Sequence, residues 1–286
     1  YPNAEDAAEE LDCIPKRGSG VYFSRMLVES CQDTAVPTLR FAQKAEFVLD
    51  PNRARETQNW LEAVVGPRLA ALNTGKRSAY GQDFGRDGDL SVLWPGQRLD
   101  SGAWRVPFAV ELRCIPFDFQ QQITFYICHH LPLLSKAHFD ARGNGQSHAE
   151  AAMQRYGLGR VGCIKATAEW YALWFPRYHR AYEDRAITAP GGEDVVLDHQ
   201  LVVLHQGRPT MSDAKVKGSD GGQRHGDSAV AGVMLWSACM DAGGVAPEIY
   251  ISRDLPSGQI SPASDILQRT AAEDAAFRAV ISRGPL

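Results

Sequence analysis

The pattern of hydrophobic and polar positions changes near residue 78. Before that point the chain is irregular or helical, and its clearest pattern is in residues 53–72. There Trp60, Leu61 and Val64 begin a series of apolar positions three and four residues apart, which predicts an amphipathic helix. Pro67 falls inside this series and predicts a kink. We expect residues 1–77 to be a lead-in or linker before a folded domain.

From residue 78 onward, short apolar runs separated by turn-forming residues predict strands. Three such runs, close together, predict an antiparallel meander, and alternating strands and helices follow. Ser147 with Glu150 has the spacing of a helix-capping box. The predicted strands are 78–84, 90–94, 104–112, 136–140 and 161–164, and the predicted helices are 119–134, 147–156, 169–184, 195–204 and 227–240. This order predicts an α/β domain over residues 78–242, with a mixed sheet flanked by helices, and a C-terminal tail over 243–286.

Composition and charge narrow the class of protein. The chain has 286 residues, 44% of them hydrophobic and 22% charged, which excludes a disordered chain or a rod. No apolar run approaches the roughly 20 residues of a membrane helix, so we expect no membrane partner. The net charge of −4 excludes nucleic-acid binding by overall charge, so contact with DNA would need a local patch or metal ions. None of the six cysteines has zinc-site spacing, which predicts reduced, buried thiols.

Three aspartates share a position at the predicted end of a strand or start of a helix. Asp83 ends the first strand, Asp140 ends a later one, and Asp227 begins an apolar helix. Such positions converge at one edge of an α/β sheet, where ligands bind. Carboxylates gathered there repel each other unless protons or cations neutralise them. Two Mg²⁺ or Mn²⁺ ions fit oxygen ligands and can drive phosphodiester hydrolysis.

Each of these aspartates also has a local structural interpretation. Asp227 is suited to cap a helix, and Asp140 is suited to a turn before Gly143. Asp83, in a mostly apolar strand, is the hardest of the three to explain by local structure. The spacing alone therefore leaves the metal site as one of two interpretations.

Several motifs resemble, in order, the nuclease domain of phage large terminase subunits, especially those of Mu-like phages and prophages. The resemblance covers residues 78–240, and a weaker similarity over 9–22 resembles the end of that family's ATPase region. The motifs are residues 80–92, 111–117 with 120–123, 139–146, 169–171 with 176–178, and 218–229. Five motifs in the family's order are far more specific than any one of them.

The resemblance implies an RNase H-like fold and a metal-dependent endonuclease that cuts phage DNA during packaging. It maps the metal-binding and catalytic carboxylates to Asp83, Asp140 and Asp227. It also implies several partners: double-stranded DNA, an ATPase domain of the full-length subunit, a small terminase subunit and a portal, all in the host cytoplasm.

No ATP site is predicted in this chain. A phosphate loop of the form GxxxxGK[ST] is missing, because Ala70 stands where the first glycine should be and Arg77 where Ser or Thr is needed. Together with Tyr1 at the start, this predicts a C-terminal fragment, which we expect to be monomeric.

Further residues near the three aspartates are candidates for accessory roles. Asp89 is a candidate for a second metal site, with a loop role as the alternative, and Asp220 is the alternative to Asp227 as the third acidic ligand. His225 could orient water or contact phosphate, with a local hydrogen bond as the alternative. Positive charge for DNA phosphates is predicted from Arg142, Lys215, Lys217 and Arg224, with a solvated surface as the alternative for the lysines.

Two other functions fit parts of the pattern. A non-catalytic part of a packaging motor, clamping DNA or docking on a portal, would not need the carboxylates. An actin-like or sugar-kinase-like nucleotide-binding enzyme also begins with an acidic, glycine-containing strand, here at Asp83 and Gly85, but the matching adenosine-side glycine motif is missing.

Overall fold

The computed structural model describes residues 20–85 and 89–241, and a nine-stranded mixed sheet runs through them. The strands of this sheet are β1 (Gln32–Asp33), β2 (Thr38–Ala42), β3 (Ser78–Asp83), β4 (Leu90–Arg98), β5 (Trp104–Arg105), β6 (Ala109–Arg113), β7 (Leu134–Asp140), β8 (Val161–Ile164) and β9 (Ile187–Pro190). Two small hairpins, β10 (Val202–His205) with β11 (Arg208–Met211) and β12 (Val216–Lys217) with β13 (Gln223–Arg224), lie outside it.

The centre of the sheet has the order β6-β4-β3-β7-β8. β4 is antiparallel to both β3 and β6, whereas β3, β7 and β8 are parallel. The predicted antiparallel start followed by parallel strands is therefore confirmed, and the arrangement is RNase H-like. The predicted third strand is divided into β5 and β6, because one end of β4 pairs with β6 and the other with β5.

Helices cover both faces of the sheet. They are α1 (Arg25–Ser30), α2 (Arg53–Trp60), α3 (Gly66–Ala70), α4 (Phe117–His130), α5 (Gly145–Tyr156), α6 (Ala168–Glu183), α7 (Glu193–Gln200) and α8 (Asp227–Asp241). One apolar core joins α6 and α8 to one face, and a second joins α2, α4 and α5 to the other. Gly81 lets the backbone of α8 cross β3 closely, because a Cβ there would lie 2.1 Å from the Leu235 amide nitrogen.

The described part of the predicted lead-in is not separate from the domain. β2 pairs in parallel with β6, and β1 pairs in parallel with β9. Residues 32–42 thus contribute two strands to the same sheet, and the expected boundary at residue 78 is wrong. The predicted helix over 53–72 is present in three pieces, with a π-helical turn at Leu61–Val65 just before Pro67, which has no amide hydrogen to continue the helix.

Two local predictions need correction. The capping box at Ser147 is wrong, since α5 begins at Gly145 and Glu150 accepts a hydrogen bond from Gln146 instead. The helix predicted to reach residue 204 ends at Gln200, because the following valines pair with β11. Residues 1–19 and the predicted tail over 243–286 lie outside the described residues. Within the part described, no helix is long and apolar enough to cross a membrane.

Candidate active site at the edge of the sheet

The three predicted aspartates lie at one edge of the sheet. Asp83 ends β3 and Asp140 ends β7, and these strands are parallel neighbours with Gln82 beside Phe139. Asp227 is the first residue of α8, the helix that packs closely against β3 at Gly81. Asp140 and Asp227 are buried, with 4% and 5% of their surface exposed. The structure therefore brings together side chains that are far apart in sequence.

Burial and neighbouring negative charges raise the pKa values of two of these aspartates. Burial raises the pKa of Asp83 well above its usual range, and the charges of Asp227 and Asp140 raise it further. Burial also raises the pKa of Asp227 to about 7, with the charge of Asp198 adding to the effect. The His225 amide donates a 2.9 Å hydrogen bond to Asp227 and opposes the shift. A cation at this edge would therefore stabilise the ionised carboxylates.

Arg142 supplies one such cation, to Asp140. Its Nε lies 3.1 Å from Oδ1 and 2.9 Å from Oδ2 of Asp140, and its Nη2 lies 2.6 Å from Oδ2. The Arg142 backbone amide also donates to Oδ1 at 3.1 Å. The guanidinium lies over the Tyr171 ring and donates to its hydroxyl at 3.0 Å. Arg142 is thus half-exposed and tied to the cluster.

The donor set fits a hard divalent cation by its chemistry. All three side chains offer carboxylate oxygens, which Mg²⁺ and Mn²⁺ prefer. Among residues 20–85 and 89–241, however, no three acidic, histidine or cysteine side chains are arranged closely enough to hold a metal ion as they stand. Both oxygens of Asp140 already have Arg142 as a cationic partner.

The accessory candidates occupy two places. The His225 ring nitrogen Nε2 lies 3.5 Å from Oδ1 of Asp89, which is exposed, so these two residues face each other beside Asp227. Asp220 instead shapes the turn between β12 and β13, where it accepts hydrogen bonds from the Gly222 amide and from Arg113. Burial acts to raise the pKa of Asp220, but these two partners outweigh it and hold the pKa below its usual value.

The four basic candidates also separate. Lys215 and Lys217 are exposed, on or next to β12. The prediction that Arg224 contacts phosphate is wrong for this structure, because its side chain is fully buried. Arg224 pairs with Asp198 at 2.7 Å and with Glu111 at 2.9 Å. Its charge compensates buried carboxylates, so it is not presented to DNA.

This buried ion network is the part of the site that the sequence interpretation missed. Asp198 also accepts a 2.8 Å hydrogen bond from the Ser228 amide, in the first turn of α8. Glu111 lies in the same cross-strand row as Asp83, with Val92 between them, and it also pairs with Arg40 at 2.8 Å. An acidic residue in the apolar strand 109–112 was the available signal. The network fixes the start of α8 and thereby the position of Asp227.

Comparison with solved structures finds folds of one class. The crystal structure of the large terminase nuclease from thermophilic phage G20c matches with a TM-score of 0.42 and 12% identity, covering 58% of this chain and 83% of that one. The same nuclease with bound magnesium matches with a TM-score of 0.42 and 15% identity, over 57% and 81% of the two chains. No family model matches the chain.

Two curated relatives show which family the chain belongs to. The Mu-like prophage FluMu protein gp28 of Haemophilus influenzae is 36% identical over 242 residues, which are 84% of this chain and 47% of the relative. The probable terminase large subunit gp28 of Escherichia phage Mu is 38% identical over 235 residues, 80% of this chain and 43% of the relative. The chain belongs to the large terminase subunits of Mu-like phages and prophages. It spans somewhat less than half the length of the relatives it matches.

Proposed function

We propose that this chain is a metal-dependent DNA endonuclease that cuts phage DNA during packaging, by two-metal-ion hydrolysis of a phosphodiester bond. The observation that carries the proposal is the grouping of three carboxylates, at the ends of β3 and β7 and at the start of α8, along one edge of an RNase H-like sheet. Burial and the charges of the other two carboxylates raise the pKa of Asp83, so this grouping is costly for stability alone and useful for holding cations.

Each side chain has a distinct role in this proposal. Asp83, Asp140 and Asp227 would hold the ions, which supply an activated water and charge stabilisation for the leaving oxygen. Arg142 lies beside Asp140 and is half-exposed, so it can bind a phosphate oxygen of the strand being cut. Lys215 and Lys217 add exposed positive charge for neighbouring phosphates. His225 and Asp89 face each other next to Asp227 and are suited to orient water.

The partners follow from the family and are part of the proposal. The curated relative from phage Mu is described as a probable terminase, large subunit. We therefore propose that this domain acts on double-stranded DNA in the bacterial cytoplasm, together with an ATPase domain, a small terminase subunit and a portal.

The test is cleavage of supercoiled plasmid by the purified chain with Mn²⁺, with Mg²⁺ and with EDTA. We expect nicking or linearisation that needs the metal and that falls at least 100-fold, on the order reported for loss of an essential catalytic group, in Asp83→Ala and Asp140→Ala. Asp100→Ala is the matched control. Asp100 is an exposed aspartate beyond the other end of β4, paired with Lys76, and its loss should leave cleavage unchanged.

The outcome that contradicts this function is equally specific. A folded protein that binds plasmid but cuts it with neither metal would favour the non-catalytic DNA clamp. Cleavage that survives both aspartate substitutions would place the chemistry elsewhere. A nucleotide-binding enzyme would instead be indicated by ATP binding without any effect on plasmid.

A further inference from the structure

Tyr171 lies close to the three carboxylates, and the proposed chemistry gives it no role. It is buried near the start of α6, with 3% of its surface exposed. Burial raises the pKa of Tyr171, and the charges of Asp140 and Asp83 add to this rise against the opposing charge of Arg142. The Tyr171 hydroxyl is therefore a neutral hydrogen-bonding group within the field of the carboxylates.

The position of the Tyr171 ring is fixed by its surroundings. Its amide donates a 2.9 Å hydrogen bond to the Thr167 carbonyl oxygen, and the Thr167 side chain caps α6 by accepting from the Trp170 amide. The ring is stacked on Phe175, with the centroids 4.8 Å apart and the planes 11° apart. A ring packed in this way keeps one orientation, so it can hold a longer side chain in place.

Arg142 contacts Tyr171 in two ways that do not involve Asp140. The guanidinium carbon lies 5.4 Å from the centroid of the Tyr171 ring, in a cation–π contact. Nη2 of Arg142 donates to the Tyr171 hydroxyl at 3.0 Å and to Oδ2 of Asp140 at 2.6 Å. Because Nη2 carries two hydrogens, its bond to Tyr171 can remain when its bond to Asp140 is broken.

The Arg142 donors that face Asp140 are also suited to a phosphate. Nε donates to Oδ1 of Asp140 at 3.1 Å and Nη2 donates to Oδ2, which is the two-bond geometry that arginine forms with carboxylates and phosphates alike. An ion at Asp140 would use the same carboxylate oxygens. The contacts with Tyr171 would then keep the guanidinium at the edge of the sheet, with Nε and Nη2 available to a new acceptor.

We propose that Tyr171 is a positioning residue, which holds the guanidinium of Arg142 where it binds a phosphate of the DNA strand being cut. A long side chain that is already held in place loses less conformational freedom when it binds, and this strengthens binding. This role rests on the proposed function and explains how one of its DNA contacts is oriented.

The test measures DNA affinity and not cleavage. A fluorescent double-stranded oligonucleotide is titrated with the purified chain in Ca²⁺ and followed by anisotropy, and a gel checks that the strands stay intact. Tyr171→Phe keeps the ring and loses the hydrogen bond to Arg142. We expect its DNA affinity to fall about fivefold, the order of one hydrogen bond. Tyr171→Leu, which loses the ring as well, should bind DNA more weakly still.

A double-mutant comparison separates positioning from direct contact with DNA. In the Arg142→Ala background, Tyr171→Phe should cause no further loss of affinity, because the group that it positions is gone. Tyr156→Phe is the matched control. The Tyr156 hydroxyl donates to the Phe125 carbonyl oxygen at 3.1 Å, beside the core on the other face of the sheet, so DNA affinity should not change. Thermal unfolding of each variant checks that it is folded.

Three results would overturn the positioning role. Equal DNA affinity of Tyr171→Phe and wild type would mean that the hydroxyl gives Arg142 no support. An equal fall in affinity with and without Arg142 would show that Tyr171 acts on DNA by itself. A wild-type chain that does not bind the duplex would remove the phosphate contact altogether. Absence of plasmid cleavage, with the expected pattern of affinities intact, would contradict only the nuclease.

Discussion

Arg142 holds both carboxylate oxygens of Asp140, the residue two positions before it, through three side-chain hydrogen bonds. A divalent ion at Asp140 would use the same oxygen atoms. In the proposed metal site, Arg142 and the ion would therefore compete for Asp140, and a guanidinium displaced by the ion would be available to bind a phosphate. Metal binding and DNA binding should then favour each other.

Removing this competitor should tighten metal binding while weakening DNA binding. In Arg142→Ala we expect Mn²⁺ affinity to rise about fivefold, because roughly 1 kcal/mol of ion pairing no longer has to be broken. DNA affinity should fall, with a shallower dependence on salt. Calorimetric titration with Mn²⁺ measures the first effect, and anisotropy at several salt concentrations measures the second.

Arg180→Ala is the control for this prediction. Arg180 is exposed on α6, where it pairs with Asp184, so its loss removes one positive charge away from the carboxylates. It should leave both affinities unchanged. A fall in Mn²⁺ affinity in Arg142→Ala would show that Arg142 helps to assemble the metal site, contrary to the competition described here.

Arg224 should be needed for stability. Replacing it with Met leaves the buried carboxylate of Asp198 without its cation and Glu111 with Arg40 alone, and we expect a loss of about 3–5 kcal/mol in the free energy of unfolding. Urea denaturation measures this loss.

Lys217→Met is the matched substitution at an exposed cation. It should change the free energy of unfolding by less than about 0.5 kcal/mol and weaken DNA binding instead. If Arg224→Met were as stable as wild type and had lost only DNA affinity, Arg224 would be a phosphate contact after all.

Gly81 should not tolerate a side chain. The reason is the space beside it and not strand propensity, in which alanine is no worse than glycine. A Cβ at this position would lie 2.1 Å from the Leu235 nitrogen and 2.5 Å from the Ala231 oxygen, both backbone atoms of α8. We expect Gly81→Ala to cost about 3 kcal/mol or more in urea denaturation, since α8 must move away from β3. Asp227 moves with α8, so metal affinity should fall as well.

Gly159→Ala is the control, because a Cβ at Gly159 meets no atom within 4 Å. It should be neutral or slightly stabilising. Equal stability of the two variants would show that α8 can adjust its position over β3 at no cost.

His199 should make the stability depend on pH below neutrality. It is fully buried, its Nδ1 lies 2.7 Å from the Val195 carbonyl oxygen, and its Nε2 lies 3.1 Å from the hydroxyls of Tyr178 and Tyr182. Burial lowers its pKa to about 4. Between the unfolded value of 6.5 and this value, the unfolded chain binds a proton that the native protein does not.

This difference should reduce the free energy of unfolding by about 2 kcal/mol between pH 7 and pH 5. Urea denaturation at several pH values should show a smaller fall in His199→Gln, which has no group to protonate there. His205→Gln, on an exposed part of β10, should keep the wild-type slope. An unchanged slope in His199→Gln would assign the pH dependence to other groups, such as His148, whose pKa burial also lowers to about 4.

The sequence predicted correctly those features of the fold that depend on residues close together in the chain. The strand Val161–Ile164 was predicted with its observed bounds, and the three aspartates at element ends were predicted to meet at one edge. Their catalytic role stays a proposal. The hydrophobic pattern of a strand or helix repeats within a few residues, so it can be recognised in the sequence without knowledge of the fold.

Two of the failures involve partners that are distant in sequence. Arg224 is basic and next to a glycine-rich loop, which is also how an exposed phosphate contact would look. Only its pairing with Asp198 and Glu111 shows that it is buried. The strand Gln32–Asp33 has no periodicity of its own, and it is a strand because Ile187–Pro190 pairs with it.

The pairing of β1 with β9 constrains the order in which the chain can fold during synthesis. Synthesis runs from the N-terminus, so Gln32 must wait for Ala189 to leave the ribosome before β1 can join the sheet. Asp227 emerges later still, at the head of α8. A nascent chain therefore carries only two of the three carboxylates until almost all of the described fold has been made. A polypeptide that stalls before α8 would lack Asp227, and with it the complete set of carboxylates that we propose to hold the metal ions.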